Sequence, residues 1–245
     1  MRVLAGCLIA LALASPVPAQ ESDYNWSGAY LGAAGGLNRL DHNFEMPGVT
    51  FQTTEERQKS FSSASAFAGY NWQFSNGVIV GVEIIGSVYK KYDLIGLGNY
   101  RNAIAQYDDP SVFASAEAQI LRSGSLQARM GYSFGRMAVI GSIGPSFASV
   151  KYWGVGGASD KSDLNAPYSM MTISENNSKT VAGLTVGLAA EFGITPNLSA
   201  AIKLEHSEWG RLATFPAKSC ALCPMEKIKA SISTQQVSLG LAYRF

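Results

Sequence analysis

From about residue 20 onward, apolar and small polar residues alternate with a period of two in one segment after another. The last segment is the cleanest, with Val237, Leu239, Leu241, Tyr243 and Phe245 on one face and Gln236, Ser238, Gly240, Ala242 and Arg244 on the other. Successive side chains of a strand point to opposite sides of the sheet, so this pattern predicts a strand with one apolar face. The period recurs in Leu198, Ala200, Ile202 and Leu204 against Ser199, Ala201, Lys203 and Glu205, and in Leu184, Val186, Leu188, Ala190 and Phe192 against Thr185, Gly187, Ala189 and Glu191. It is found again in Leu126, Ala128, Met130, Tyr132 and Phe134 against Gln127, Arg129, Gly131 and Ser133, and in Val78, Val80, Val82 and Ile84 against Gly81 and Glu83.

Three further segments are less regular. Residues 137–152 place Val139, Ile143 and Phe147 on one face, with an expected phase slip and bulge near Pro145. Ala66, Ala68, Tyr70, Trp72 and Phe74 share a face that leaves Phe67 pointing inward, and residues 26–37 form a strand whose faces the pattern leaves unassigned. Short joins at Ser75-Asn76-Gly77, around Gly135 and at residues 193–197 carry turn residues, whereas long polar stretches fall near residues 38–62, 91–120, 153–178 and 208–233.

Eight strands with short turns at one end and four long loops at the other predict an all-β fold, an eight-stranded antiparallel transmembrane β-barrel. Its short turns and both chain ends are periplasmic and its long loops extracellular. Unpaired backbone groups in hydrocarbon cost several kcal/mol each, so strands cross a bilayer only in a sheet that closes on itself. Trp26, Tyr30, Tyr70, Trp72, Phe74, Tyr132, Phe134, Phe192, Tyr243 and Phe245 stand near segment ends and are expected to form interfacial girdles. A soluble sandwich or lipocalin-like barrel also alternates, but has less reason to gather its long loops at one end.

Composition supports the membrane reading. Apolar residues make up 47% and charged residues 15% of 245, while mean hydropathy is only +0.06. Helical membrane proteins show runs of about 20 apolar residues, which this chain lacks; alternation of apolar and small polar residues gives a near-zero average instead. The formal net charge is +1, with no basic stripe, so nucleic acid is not an expected partner.

The N-terminus reads as an export signal over residues 1–19, with Arg2 as the positive start, an apolar run from Val3 to Ala14, and cleavage between Ala19 and Gln20. Residues 20–245 are then one barrel domain. Leu4-Ala5-Gly6-Cys7 has the form of a lipoprotein box but precedes the apolar run rather than following it, so Cys7 is expected to leave with the signal.

Four passages, Trp26-Ser27-Gly28-Ala29-Tyr30-Leu31-Gly32, Gly69-Tyr70-Asn71-Trp72-Gln73, Ala128-Arg129-Met130-Gly131-Tyr132 and Leu241-Ala242-Tyr243-Arg244-Phe245, make the chain resemble the small porin-like and opacity-type outer-membrane barrels of Gram-negative bacteria. That resemblance implies residence in the cell outer membrane among its lipid and lipopolysaccharide. It also implies that Phe245 is the signal read by the outer-membrane assembly machinery. Some relatives of this kind bind haem or host surfaces through their loops.

Candidate chemistry is sparse. Glu83, Arg129, Glu191, Lys203, Glu205 and Arg244 all fall on the predicted interior face. Charges inside a membrane protein raise a pore or proton path, but eight strands leave a lumen that side chains fill, so an interior charge network is expected. Leu204-Glu205-His206-Ser207-Glu208 brings a nucleophile, a base and a carboxylate together in sequence, which raises a lipid-modifying hydrolase; neighbouring strand residues nevertheless point to opposite faces, so no catalytic residue is assigned. Cys220 and Cys223 in an exported loop predict a local disulfide, and with no second ligand pair in view no metal or cofactor is predicted. The functional expectation is a structural barrel that supports membrane integrity and carries exposed loops. A loop-borne host or environmental ligand is the alternative, followed by a narrow channel or the hydrolase.

Overall fold

The computed structural model describes residues 24–45, 58–90, 110–160, 169–173, 178–209 and 229–245. The export signal, the Cys220–Cys223 pair and most of the outer loops lie outside these residues. The strands are β1 (Gly28–Glu45), β2 (Gln58–Gln73), β3 (Val78–Tyr89), β4 (Pro110–Phe134), β5 (Met137–Asp160), β6 (Ser169–Ile173), β7 (Ser178–Gly193), β8 (Leu198–Trp209) and β9 (Lys229–Arg244).

Eight of them close a ring in the order β1, β2, β3, β4, β5, β7, β8, β9, every neighbouring pair antiparallel, with β9 returning to β1 through pairs such as Leu31 with Tyr243. The chain is therefore the eight-stranded barrel that the alternation predicts. The short strand β6 stands outside the ring, paired with the outer end of β5, and was not foreseen.

The short joins, Tyr24 and Phe245 gather at one end. Gly77 and Gly135 have φ of 84° and 63°, a left-handed backbone at the tight turns β2–β3 and β4–β5 that other L-residues adopt only with strain. The Trp26 indole Nε1 donates to the Gly135 carbonyl at 3.3 Å, and Arg136 Nε donates to the Gly193 carbonyl at 2.9 Å, tying the segment before β1 and two turns together.

Outward faces follow the sequence pattern. On β9 Val237, Leu239, Leu241 and Tyr243 are exposed, as Leu126, Met130, Tyr132 and Phe134 are on β4. In β1, whose faces the sequence left open, Leu31 and Leu37 point out while Tyr30 and Asn38 point in. Two expected girdle residues are corrected by this. Tyr30 is 3% and Trp26 0% exposed; Trp26 packs into the end of the lumen at the short turns and Tyr30 points into its interior, and neither faces lipid.

The bulge is corrected too. Around Pro145 the register of β5 with β7 runs unbroken, Pro145 pairing with Leu184, and Pro145 points outward in phase with Ile143 and Phe147. Proline lacks an N–H, so only the β4 side of the ladder is interrupted there, without a shift. The register shift lies one strand over, between Ile120 and Arg122.

Finally, β4 and β5 run 25 and 24 residues, far more than the roughly 9–11 a bilayer needs, and extend into stretches read as loops. Above the lipid the outward positions need not be apolar, so pairing continues after the hydrophobic alternation has stopped.

Candidate functional site in the barrel interior

The interior is built in three layers. At the outer end every strand of the ring supplies an inward apolar or aromatic side chain: Leu40, Phe61, Ile120, Ala148, Val150, Val181, Trp209 and Ile232, with Tyr89 of β3 packed against them. At the periplasmic end Tyr24, Trp26, Ile79, Ala138 and Ile140 form a second apolar cluster, with the Tyr24 and Trp26 rings 4.5 Å apart. The charged residues lie among the inward positions of the strands between them.

Arg129 is the hub of that middle layer. It projects from β4 opposite Gly81, and its guanidinium donates from Nη1 to the Tyr30 phenol oxygen and from Nη2 to Glu191. Glu83 of β3 lies 3.4 Å from the same guanidinium and accepts a hydrogen bond from the Tyr30 hydroxyl at 3.0 Å. Lys203 of β8 donates to Glu83 at 2.8 Å and lies 3.2 Å from Glu205, which also accepts from the Gln127 side-chain amide at 2.8 Å. Five charges from four strands thus form one connected network in which each carboxylate has a cation or amide partner.

Arg244 is placed inside as well, at 3% exposure, but apart from the five. Its Nη1 donates to the Trp26 carbonyl at 2.5 Å, and its guanidinium sits 5.1, 5.6 and 5.9 Å from the ring centres of Tyr30, Trp26 and Tyr24. A cation over aromatic faces is stabilised by their quadrupoles. Tyr30, between Arg129 and Arg244, was expected in the girdle and not in the interior because the faces of β1 were unassigned. Gln127 was legible as an inward residue, though not as a bridge to Glu205. The apolar ring at the outer end was missed outright, because its members stand in separate strands with nothing in the local pattern to mark them.

The residues of the hydrolase hypothesis do not converge. Ser207 points inward and shares a 2.7 Å hydrogen bond with Thr185, whereas His206 is exposed on the outer face. Phe245 is exposed at the periplasmic end, 5.3 Å from the Tyr243 ring, its N–H bonded to the Ala29 carbonyl at 3.0 Å.

The family model described as outer membrane protein beta-barrel domain matches residues 6–245. The chain belongs to this outer-membrane β-barrel family. Two relatives, each called "31 kDa outer-membrane immunogenic protein", from Brucella melitensis biotype 1 and Brucella suis biovar 1, are 25% identical over 240 residues, spanning 94% of this chain and 88% of theirs. Among solved structures, Neisserial surface protein A aligns with a TM-score of 0.42 and 15% identity, over 89% of this chain and 98% of that one. Ail, the attachment invasion locus protein of Yersinia pestis, aligns at 0.36 and 12%, over 89% and 99%. As a member of the outer-membrane β-barrel family the protein resides in the cell outer membrane, and its apolar outward belt is the lipid-facing surface.

Proposed function

We propose that the protein is a sealed structural barrel that supports outer-membrane integrity and presents its long loops to the environment. The observation that carries this reading is the filling of the lumen. An ion network centred on Arg129 spans the middle, and an apolar cluster stands at either end of it. An ion entering this interior would have to cross apolar layers whose side chains offer no polar group in place of its hydration, at a cost of many kcal/mol. Mutually bonded charges in a closed interior contribute conformational specificity rather than a conduction path.

The test is detergent sensitivity of a deletion strain complemented by the full protein or by a version with its four long loops trimmed. Rescue by the trimmed barrel supports the structural reading, and rescue by the full protein alone places the function in the loops. Single-channel recording of the purified barrel should give no stable openings. The loop-borne alternative is favoured by one observation, the immunogenicity in the names of the Brucella relatives, which fits exposure of these loops to a host.

A further inference from the structure

Tyr24, Asn25, Trp26 and Ser27 belong to no strand, so the backbone ladder of the ring closes without them. They are nevertheless held at the turn end of the lumen by partners from widely separated strands. At the end of β2, the Trp26 backbone N–H donates to the Gln73 side-chain oxygen at 2.8 Å, and the Gln73 backbone N–H donates to the Ser27 hydroxyl at 2.9 Å. Tyr24 and Trp26 share one buried cluster with Ile79 of β3 and with Ala138 and Ile140 of β5. A Cβ built on Gly193, the last residue of β7, would lie 2.3 Å from the Tyr24 ring, so the phenol fills the place that any other residue there would need for its side chain.

The decisive contact is with Arg244 of β9, 218 residues from Trp26. Its guanidinium donates to the Trp26 carbonyl and lies over the Tyr24 and Trp26 rings. Among the described residues no carboxylate forms an ion pair with Arg244, and its Nε has no hydrogen-bond partner. A cation taken out of water is costly unless polar or aromatic groups replace its hydration, and here Tyr24, Trp26 and Tyr30 supply them. Arg244 pairs with Tyr30 in the ladder, and the next residue, Phe245, bonds to the Ala29 carbonyl, so Arg244 reaches this place only when β9 has joined β1. Contacts so distant in sequence carry a loop-closure cost, which the strands of the ring meet first.

We propose that Tyr24 to Ser27 form a latch that docks after the ring has closed. It covers Arg244, ties β2, β7, β9 and the β4–β5 turn together, and slows the separation of β9 from β1. The latch is independent of whether the sealed barrel or the loops carry the function, so its failure leaves that reading untouched.

The experiment follows folding of the full chain from urea into lipid vesicles and its unfolding in urea, with closure read from the faster gel migration of unheated, closed barrels. A contact made after the rate-limiting step leaves the folding rate alone and puts its whole effect on unfolding. Y24A/W26A should therefore close within about twofold of the wild-type rate and unfold on the order of a hundredfold faster. Y24L keeps most of the packed volume and loses the aromatic face over Arg244; it should close like wild type and unfold roughly fivefold faster. I232A, on the inward face of the strand that completes the ring, is the contrast and should slow closure. The latch is overturned if either Tyr24 variant loses more in folding rate than it gains in unfolding rate, if Y24L unfolds at the wild-type rate, or if I232A leaves closure unchanged. Should Y24A/W26A fail to fold, Y24L and I232A decide.

Discussion

Arg129 of β4 and Tyr30 of β1 meet across the lumen, the guanidinium donating to the phenol oxygen while its carbon lies 5.3 Å from the ring centre. Neither strand neighbours the other in the ring, so this contact braces the barrel through its interior as well as around its wall. The same guanidinium faces Glu83 and Glu191. Removing it leaves three interior carboxylates, Glu83 buried and Glu191 and Glu205 nearly so, with Lys203 as their remaining cation in the network, and an uncompensated buried charge costs about 3–5 kcal/mol. Arg129→Met should lower unfolding stability in urea by that amount in lipid vesicles. Adding Glu83→Gln and Glu191→Gln should restore at least half of the loss, because neutral amides do not need the cation. A triple variant no more stable than Arg129→Met would show that packing, rather than charge, is what Arg129 supplies.

At Gly144 the backbone of β5 leaves no room for a side chain against β4. A Cβ added there would stand 1.8 Å from the Leu126 carbonyl oxygen and 2.8 Å from the Gln127 Cα, both backbone atoms held in the ladder. Gly144→Ala should cost about 1–3 kcal/mol through forced displacement of the strands. Gly35→Ala is the control, since an added methyl there meets nothing within 4 Å, and its effect should stay within about 0.5 kcal/mol. Equal unfolding midpoints for the two variants would contradict the close approach.

Strand number, order and most faces were legible because lipid imposes alternation on the membrane-spanning segments alone. Val237 to Phe245 could be assigned residue by residue for that reason. Where lipid does not touch the chain the signal failed: the outer ends of β4 and β5 read as loops, and β6 was not seen. The six interior charges were found by parity, since any charge on a barrel's inward face is conspicuous. Their partners were not, because partner choice depends on closure. Glu83 meets Lys203 only once β9 has joined β1, a relationship with no local trace. Trp26 and Tyr30 were misplaced for a related reason: aromatics suit both the girdle and the lumen, and only the phase of β1 separates the two.

The lipid-facing belt can be tested by depth. Leu241 is 53% exposed in the middle of the apolar face of β9, whereas Gln235 is exposed on the same face nearer the outer loops. Arginine on the lipid face costs about 2–4 kcal/mol at the midplane and about 0–1 near the interface. Leu241→Arg should therefore destabilise the refolded barrel by that larger amount in bilayers, and Gln235→Arg hardly at all. A similar loss for both would mean that the belt is misplaced along the strand.

The hydrolase reading of Glu205-His206-Ser207 makes a prediction opposite to that of the geometry. Ser207 shares its hydrogen bond with Thr185 inside the barrel, while His206 pairs with Val186 and Gln235 and projects to the outside. A base cannot take a proton from a hydroxyl on the other side of the sheet, since general-base catalysis needs contact at about 2.6–3.2 Å. Ser207→Ala should therefore cost only the lost interior bond, about 1 kcal/mol of stability. It should leave phospholipid or lipid A deacylation by the refolded protein at the wild-type level, measured as fatty acid released. Release that falls to background in Ser207→Ala, with the barrel still folded, would restore the enzyme and refute a purely structural role for this strand.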